Sequence, residues 1–167
     1  MTGVRAVEGF LAGDVPALDV LALEKGFGEA LGRGALAILA YAALGVLLLV
    51  AGYYAIDLAT PGRLSTIIRT DRNPNATLLA STGVFAVAMI VAASIWASGG
   101  RLVEGLLSTL VFGAVGIGAQ VVASIVFDKL VGFDLKGLLR EDRLQPSAVL
   151  LGSTHLGIGL VTAVAVI

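Results

Sequence analysis

A chain of 167 residues that is 57% hydrophobic and 14% charged departs from soluble domains, in which charged residues make up about a quarter. Its length allows one domain, and a net charge of −1 offers no basic face to displace counterions from a nucleic acid. The absence of cysteine excludes disulfides, thiolate nucleophiles and cysteine-based metal sites.

Residues 1–34 form a first segment. They carry Glu8, Asp14, Asp19, Glu24 and Glu29 against Arg5, Lys25 and Arg33. No cleavable signal peptide is legible, because Glu8 and Asp14 stand where a basic region and an apolar core belong. The first span is then expected to serve as its own targeting signal. Asp14 ahead of Val15-Pro16 reads as a helix start, with aspartate as the N-cap and proline in the first turn. Leu18, Leu21, Leu23, Phe27 and Leu31 give a ragged apolar side broken by Gly26 and Gly28. Two readings follow: an N-terminal amphipathic helix lying along the membrane surface, or a partly disordered acidic leader. Gly32-Arg33-Gly34 is expected to be the hinge into the first span.

No Asp, Glu, Lys or Arg occurs in 34–56, 73–100, 105–127 or 144–167, and each run has 23 residues or more. A helix needs about 20 apolar residues to cross a hydrocarbon core about 30 Å thick. The runs therefore predict an all-α integral membrane protein with four transmembrane helices, near 35–57, 76–98, 104–128 and 146–167. Gly99-Gly100-Arg101 leaves little chain between the second and third, which forces an antiparallel pair. The other two loops hold Arg63, Arg69, Arg72, Lys129, Lys136, Arg140 and Arg143, seven of the eleven basic residues. Excess positive charge marks the cytoplasmic side, so these loops are expected to face the cytoplasm of a plasma membrane. Both termini are then extracytoplasmic.

The loops repeat. Leu64-Ser-Thr-Ile-Ile-Arg-Thr-Asp-Arg72 returns 71 residues later as Leu135-Lys-Gly-Leu-Leu-Arg-Glu-Asp-Arg143. Asp57 and Asp128 precede the two copies at the same distance, and Pro74 to Thr82 returns as Pro146 to Thr154 with the offset grown to 72. The chain is thus a hairpin written twice, 35–98 and 99–167. With two spans in each copy, both enter the bilayer in the same sense, as parallel two-helix repeats about an axis along the membrane normal. Within the loops, Leu64, Ile67 and Ile68, and again Leu135, Leu138 and Leu139, fall at i, i+3, i+4. That spacing puts three apolar side chains on one face and predicts short interfacial helices. Pro61-Gly62 and Gly132 supply the turns. Small residues such as Gly52, Gly113, Gly116, Gly118, Gly152, Gly157 and Gly159 allow close approach of helices in lipid.

Polar groups inside spans are where chemistry would lie, because unpaired ones are costly there. Gln120, Ser124 and Asp128 follow at i, i+4, i+8 on the third span, and Ser153, Thr154 and His155 lie on the fourth. Counted from the ends of their spans, Gln120 and His155 share a depth of roughly 12–13 Å. Ser81 and Thr82 repeat the Ser-Thr pair on the second span. A polar seam between helices two, three and four would form a binding site or conduction path, with His155 titrating near neutral pH. The plainer reading has Gln120 and His155 bonded to each other and the hydroxyls bonded back to their own helices. For Asp57 and Asp128 the expected role is structural: loop-anchoring ion pairs with Arg69, Arg72, Arg140 or Arg143.

Catalytic motifs are missing. One histidine without cysteine cannot build a zinc set, and there is neither a GxSxG elbow nor a P-loop lysine. Gly113-Ala-Val-Gly-Ile-Gly118 sits mid-span without the strand–turn–helix setting of a dinucleotide site. Ser153 and His155, two apart on a helix, point to different sides. No enzyme, cofactor or metal is expected.

Tyr54-Ala-Ile-Asp57, Ile68-Arg-Thr-Asp-Arg72, Ala76 and Leu79, then Val126-Phe-Asp128, Leu139-Arg-Glu-Asp-Arg143, Ala148 and His155-Leu-Gly-Ile-Gly159 carry a family likeness. Over about 37–166 the chain resembles the bacterial domain of unknown function 350, also described as the uncharacterised-protein family 0719 of transmembrane proteins. The resemblance implies a four-span bacterial inner-membrane protein and brings no established activity. The sequence is read first as a non-catalytic oligomeric structural or partner-binding module, whose partners are the lipid bilayer and further copies or a larger membrane assembly. The competing reading is a small channel or transporter using the seam.

Overall fold

The computed structural model describes residues 17–99 and 101–167, with side chains from residue 26 onward. The expected Asp14 cap lies outside the described residues. Six helices follow in order: α1 (Ala17–Ala59), α2 (Leu64–Arg69), α3 (Pro74–Trp96), α4 (Leu102–Val131), α5 (Leu135–Leu138) and α6 (Pro146–Val166). Among the described residues, Gly26–Ala59 within α1, together with α3, α4 and α6, are the helices long and apolar enough to cross a membrane. The shortest has 21 residues, about 30 Å at 1.5 Å per residue, which matches the hydrocarbon core.

The chain divides into two packing units, one ending at Leu39 and one running Ala40–Ile167. In the first, the helix passes straight through Gly32-Arg33-Gly34, so the expected hinge is absent. An interior glycine costs only about 1 kcal/mol relative to alanine, and the alanines and leucines around these glycines are strong helix formers. Arg33 also pairs with Glu29 one turn back at 3.4 Å, an exposed contact that spans Gly32.

In the second unit, α3 is central. Half of its span is buried, against 22% for α4 and for α6, and it packs on both of them. The contacts depend on glycine. A Cβ on Gly159 would lie 2.5 Å from the Ala86 Cβ and 2.8 Å from its Cα, so α6 meets α3 backbone to backbone. Gly83 accepts the Ile56 side chain, Gly52 accepts Val87, and Gly113 accepts Leu48, each closer than 3 Å to where a Cβ would stand. Without a hydrophobic force between helices in lipid, such close approach is what dispersion requires. Gly118 and Gly157 have nothing within 4 Å and face outward.

The short helices turn their apolar residues inward. Leu64 is fully buried, and Leu138 and Leu139 join Leu79, Ala148 and Leu151 in one apolar cluster. Gly132 ends α4 in the left-handed conformation, with φ of 75° and its N–H on the Asp128 carbonyl at 2.9 Å. At the opposite end, the Tyr41 hydroxyl meets Ser98 Oγ at 3.0 Å, tying α1 to the α3–α4 connection.

Candidate intramembrane polar site

Gln120 on α4 and His155 on α6 meet, but not side chain to side chain. Gln120 Nε2 donates to the His155 backbone carbonyl at 3.0 Å. Both residues are buried, at 2% and 9% exposure. Gln120 Oε1 and His155 Nδ1 have no partner, and neither has Asp128 Oδ1, about two helical turns nearer the loop. These are the three buried side-chain polar atoms without a partner among the described residues. Buried polar atoms are nearly always paired, so three orphans call for a physical account.

Their three residues help to line one cavity. It is about 30 Å³ in volume and is lined by Gln120, Ser124 and Asp128 of α4, His155 of α6, Leu79 and Gly83 of α3, and Ile56 and Thr60 near the end of α1. Leu135, at the start of α5, closes it on the loop side. A wider cavity of about 450 Å³ adjoins it, lined by Lys129, Phe133, Asp134 and Lys136. Ala59, Ile125, Asp128 and Leu135 belong to both. Asp128 therefore lines both an inner, mostly apolar chamber and an outer vestibule with two lysines.

Other members of the expected seam lie elsewhere. Ser81 and Ser153 are exposed, and Thr154 is half-buried. Ser153 donates to the Val149 carbonyl at 2.9 Å, Thr154 to that of Leu150 at 3.0 Å, and Thr82 to that of Leu78 at 2.9 Å. The Thr82 side chain lies against Gly152 across the α3–α6 contact. Neighbouring positions on a helix are 100° apart, so His155 can face inward only if Ser153 faces away.

The loop-anchoring ion pairs do not form. Arg69, Arg72, Arg140 and Arg143 are exposed, and the salt bridges among the described residues are Arg33–Glu29 and Arg101–Glu104. Asp57 instead uses its Oδ1 to accept the Leu64 N–H at 2.6 Å. The reason is local. Arg63 in the N-cap position of α2 makes no side-chain cap, so its first turn takes an acceptor from seven residues upstream. In the second half the corresponding position is Asp134, which caps α5 itself by accepting the Gly137 N–H at 3.0 Å. Asp128 is released from the anchoring task and is left lining the cavity.

Two residues that sequence reasoning passed over hold the loops together. Asn73, the N-cap of α3, accepts the Ala76 N–H at 2.9 Å and donates to the Leu139 and Glu141 carbonyls at 3.0 Å. Asn75, fully buried, donates to the carbonyls of Leu138, Glu141 and Arg143 and accepts the Gln145 N–H at 2.8 Å. The signal available in the sequence was Asn before Pro74, a capping residue ahead of a proline at N1. Nothing local marked Asn75.

Comparison with known proteins agrees with this architecture. Residues 30–166 match the model of the family described as Domain of Unknown Function (DUF350). A UPF0719 transmembrane protein of Mycolicibacterium paratuberculosis is 33% identical over 134 residues, 80% of this chain and 89% of that protein. UPF0719 transmembrane proteins of Mycobacterium bovis and Mycobacterium tuberculosis are each 40% identical over 81 residues, 48% of this chain and 53% of theirs. No solved structure matches. With more than two thirds of its length under the family model and four helices able to span a bilayer, the chain belongs to the DUF350 family of multi-pass membrane proteins.

Proposed function

We propose that this is a non-catalytic bacterial plasma-membrane protein of the small channel or transporter type, whose working part is the chamber between α3, α4 and α6. The observation that carries the reading is that Gln120, Asp128 and His155, each with a buried side-chain atom left unpaired, all belong to the lining of one cavity within the spans. A purely structural bundle gains nothing from such a set, since unpaired buried polar atoms destabilise and apolar replacements would not. Intramembrane ionisable groups facing a cavity are the usual mark of an ion or substrate pathway.

The proposed topology is two parallel hairpin repeats, α1 with α3 and α4 with α6, with α2 and α5 on the cytoplasmic side near the headgroups and both termini outside. Its supports are the seven basic residues of the two loops and the recurrence of long helix, short helix and proline-initiated helix in each half. A single chamber of about 30 Å³ is not a continuous path, so the working form is proposed to be a homo-oligomer or a subunit of a larger assembly.

The second reading, an oligomeric structural or partner-binding module without flux, is favoured by the asparagine clamp, which ties the halves at their loops. Reconstitution into liposomes separates the two. Cation flux that falls in His155→Ala supports the first; a defined oligomer with no flux supports the second.

A further inference from the structure

We propose that the outer vestibule binds the headgroup of one bilayer phospholipid that carries both a phosphate and a primary ammonium, the ethanolamine class. The inference goes beyond the transport reading and does not depend on it.

Depth comes first. The uncharged run 34–56 ends directly before Asp57, and the run 105–127 directly before Asp128. The vestibule is lined by Ala59 and Pro61, just past the first of these ends, and by residues between Ile125 and Lys136 around the second. It therefore lies where the chain leaves the hydrocarbon, at the depth of the lipid headgroups. Ile125, Phe133 and Leu135 give it an apolar wall. Its volume of about 450 Å³ falls in the range of roughly 300–1,000 Å³ that holds small ligands. Phospholipid headgroups surround the protein at that depth, so lipid is the ligand in greatest supply.

Charge narrows the class. The titratable residues lining the vestibule are Lys129, Lys136, Asp128 and Asp134, two of each sign. The salt bridges among the described residues are Arg33–Glu29 and Arg101–Glu104, so neither lysine is committed to either aspartate. Both lysines are exposed, and their flexible stems let the ammonium groups adapt to a ligand. Asp134 accepts the Gly137 N–H on Oδ1 at 3.0 Å, which occupies one lone pair and leaves the carboxylate its charge. A ligand of one sign meets two wall charges of its own sign. The aspartates oppose a purely anionic headgroup, the lysines oppose a simple amine, and a headgroup with both signs satisfies both pairs. Choline lipids also carry both signs, but their quaternary nitrogen has no N–H. The ethanolamine ammonium has three, and a carboxylate accepts them in short charge-assisted bonds.

The test is native mass spectrometry of the purified full-length chain in detergent, titrated separately with phosphatidylethanolamine, phosphatidylcholine and phosphatidylglycerol of identical acyl chains. One phosphatidylethanolamine should be retained at a concentration about tenfold below that needed for either of the others. Lys129→Gln combined with Lys136→Gln should weaken its retention by about tenfold or more. Arg69→Gln combined with Arg72→Gln, exposed cations of the other loop, should leave it unchanged. Asp128→Asn combined with Asp134→Asn should erase the advantage of ethanolamine over choline, and asparagine caps a helix as well as aspartate does. Melting temperatures confirm that each variant is folded. Equal retention of the three lipids means an ordinary lipid annulus and overturns the proposal. A preference for phosphatidylglycerol, or one for phosphatidylethanolamine that survives either vestibule pair of substitutions, overturns it too. Selective lipid binding without cation flux in liposomes would keep the site and reject the transport reading, and flux without lipid selectivity would do the reverse.

Discussion

The side-chain oxygen of Asn75 accepts the backbone N–H of Gln145 at 2.8 Å, across seventy positions of sequence. The same side chain donates to the carbonyls of Leu138, Glu141 and Arg143, so one residue at the start of α3 holds the whole turn that leads into α6. Each bond contributes about 1 kcal/mol net, and a partner left buried without it costs more. Asn75→Ala should therefore destabilise the protein by about 2–4 kcal/mol. The measurable consequence is a lower melting temperature in detergent and faster proteolysis within 138–145. Asn75→Asp, which keeps the acceptor for Gln145 but aims a carboxylate at three carbonyls, should be worse than alanine.

The two span-end aspartates, equivalent by sequence, should respond oppositely to mutation. Asp57 is the only acceptor given to the Leu64 N–H, so Asp57→Ala removes a helix cap and should cost about 1 kcal/mol. Asp57→Asn retains an acceptor and should cost a few tenths of that. Asp128 Oδ1 has no donor, so Asp128→Asn should leave stability unchanged or raise it. Thermal melts of the three variants side by side decide the matter. Equal losses at both positions would mean that both aspartates anchor loops.

That contrast also marks where the sequence could be read and where it could not. The spans were legible because an uncharged run longer than a bilayer has one physical meaning. The short loop helices were legible from the spacing of Leu64, Ile67 and Ile68. The roles of Asp57 and Asp128 were not, because the sequences that follow them look alike while a single difference, Arg63 against Asp134, decides which helix caps itself. Charge alone suggested ion pairs, but the arginines stay exposed, where water competes and a pair gains little. Gln120 and His155 could be placed at one depth by counting residues. Which of their atoms would be left over depended on side-chain orientations that no count supplies.

The same helix offers a second contrast, between Gly157 and Gly159. Two residues apart, they occupy opposite environments: nothing lies within 4 Å of Gly157, while Gly159 is pressed on the Ala86 backbone. Gly159→Val must push α6 off α3 or fail to pack, with a loss of about 1–3 kcal/mol or more. Gly157→Val places its side chain in open space and should be tolerated. If assembly with further copies uses that outward face, Gly157→Val will leave the monomer's melting intact while shifting the oligomer seen by native mass spectrometry.

Gly32 tests the unbroken course of α1. At a flexible joint, alanine would restrict motion and stiffen the chain. In a continuous helix with open space around the site, alanine removes the backbone-entropy penalty and stabilises it by up to about 1 kcal/mol. Amide exchange over residues 28–36 should then slow in Gly32→Ala. In Gly32→Pro it should accelerate, because the ring removes a hydrogen bond and clashes with the carbonyl four residues back, at a cost of about 3 kcal/mol. The Arg33–Glu29 pair lies on the exposed side of this stretch and contributes only a few tenths. Helical propensity, more than that contact, carries the chain through the glycines, and exchange in Glu29→Gln should stay close to that of the parent protein.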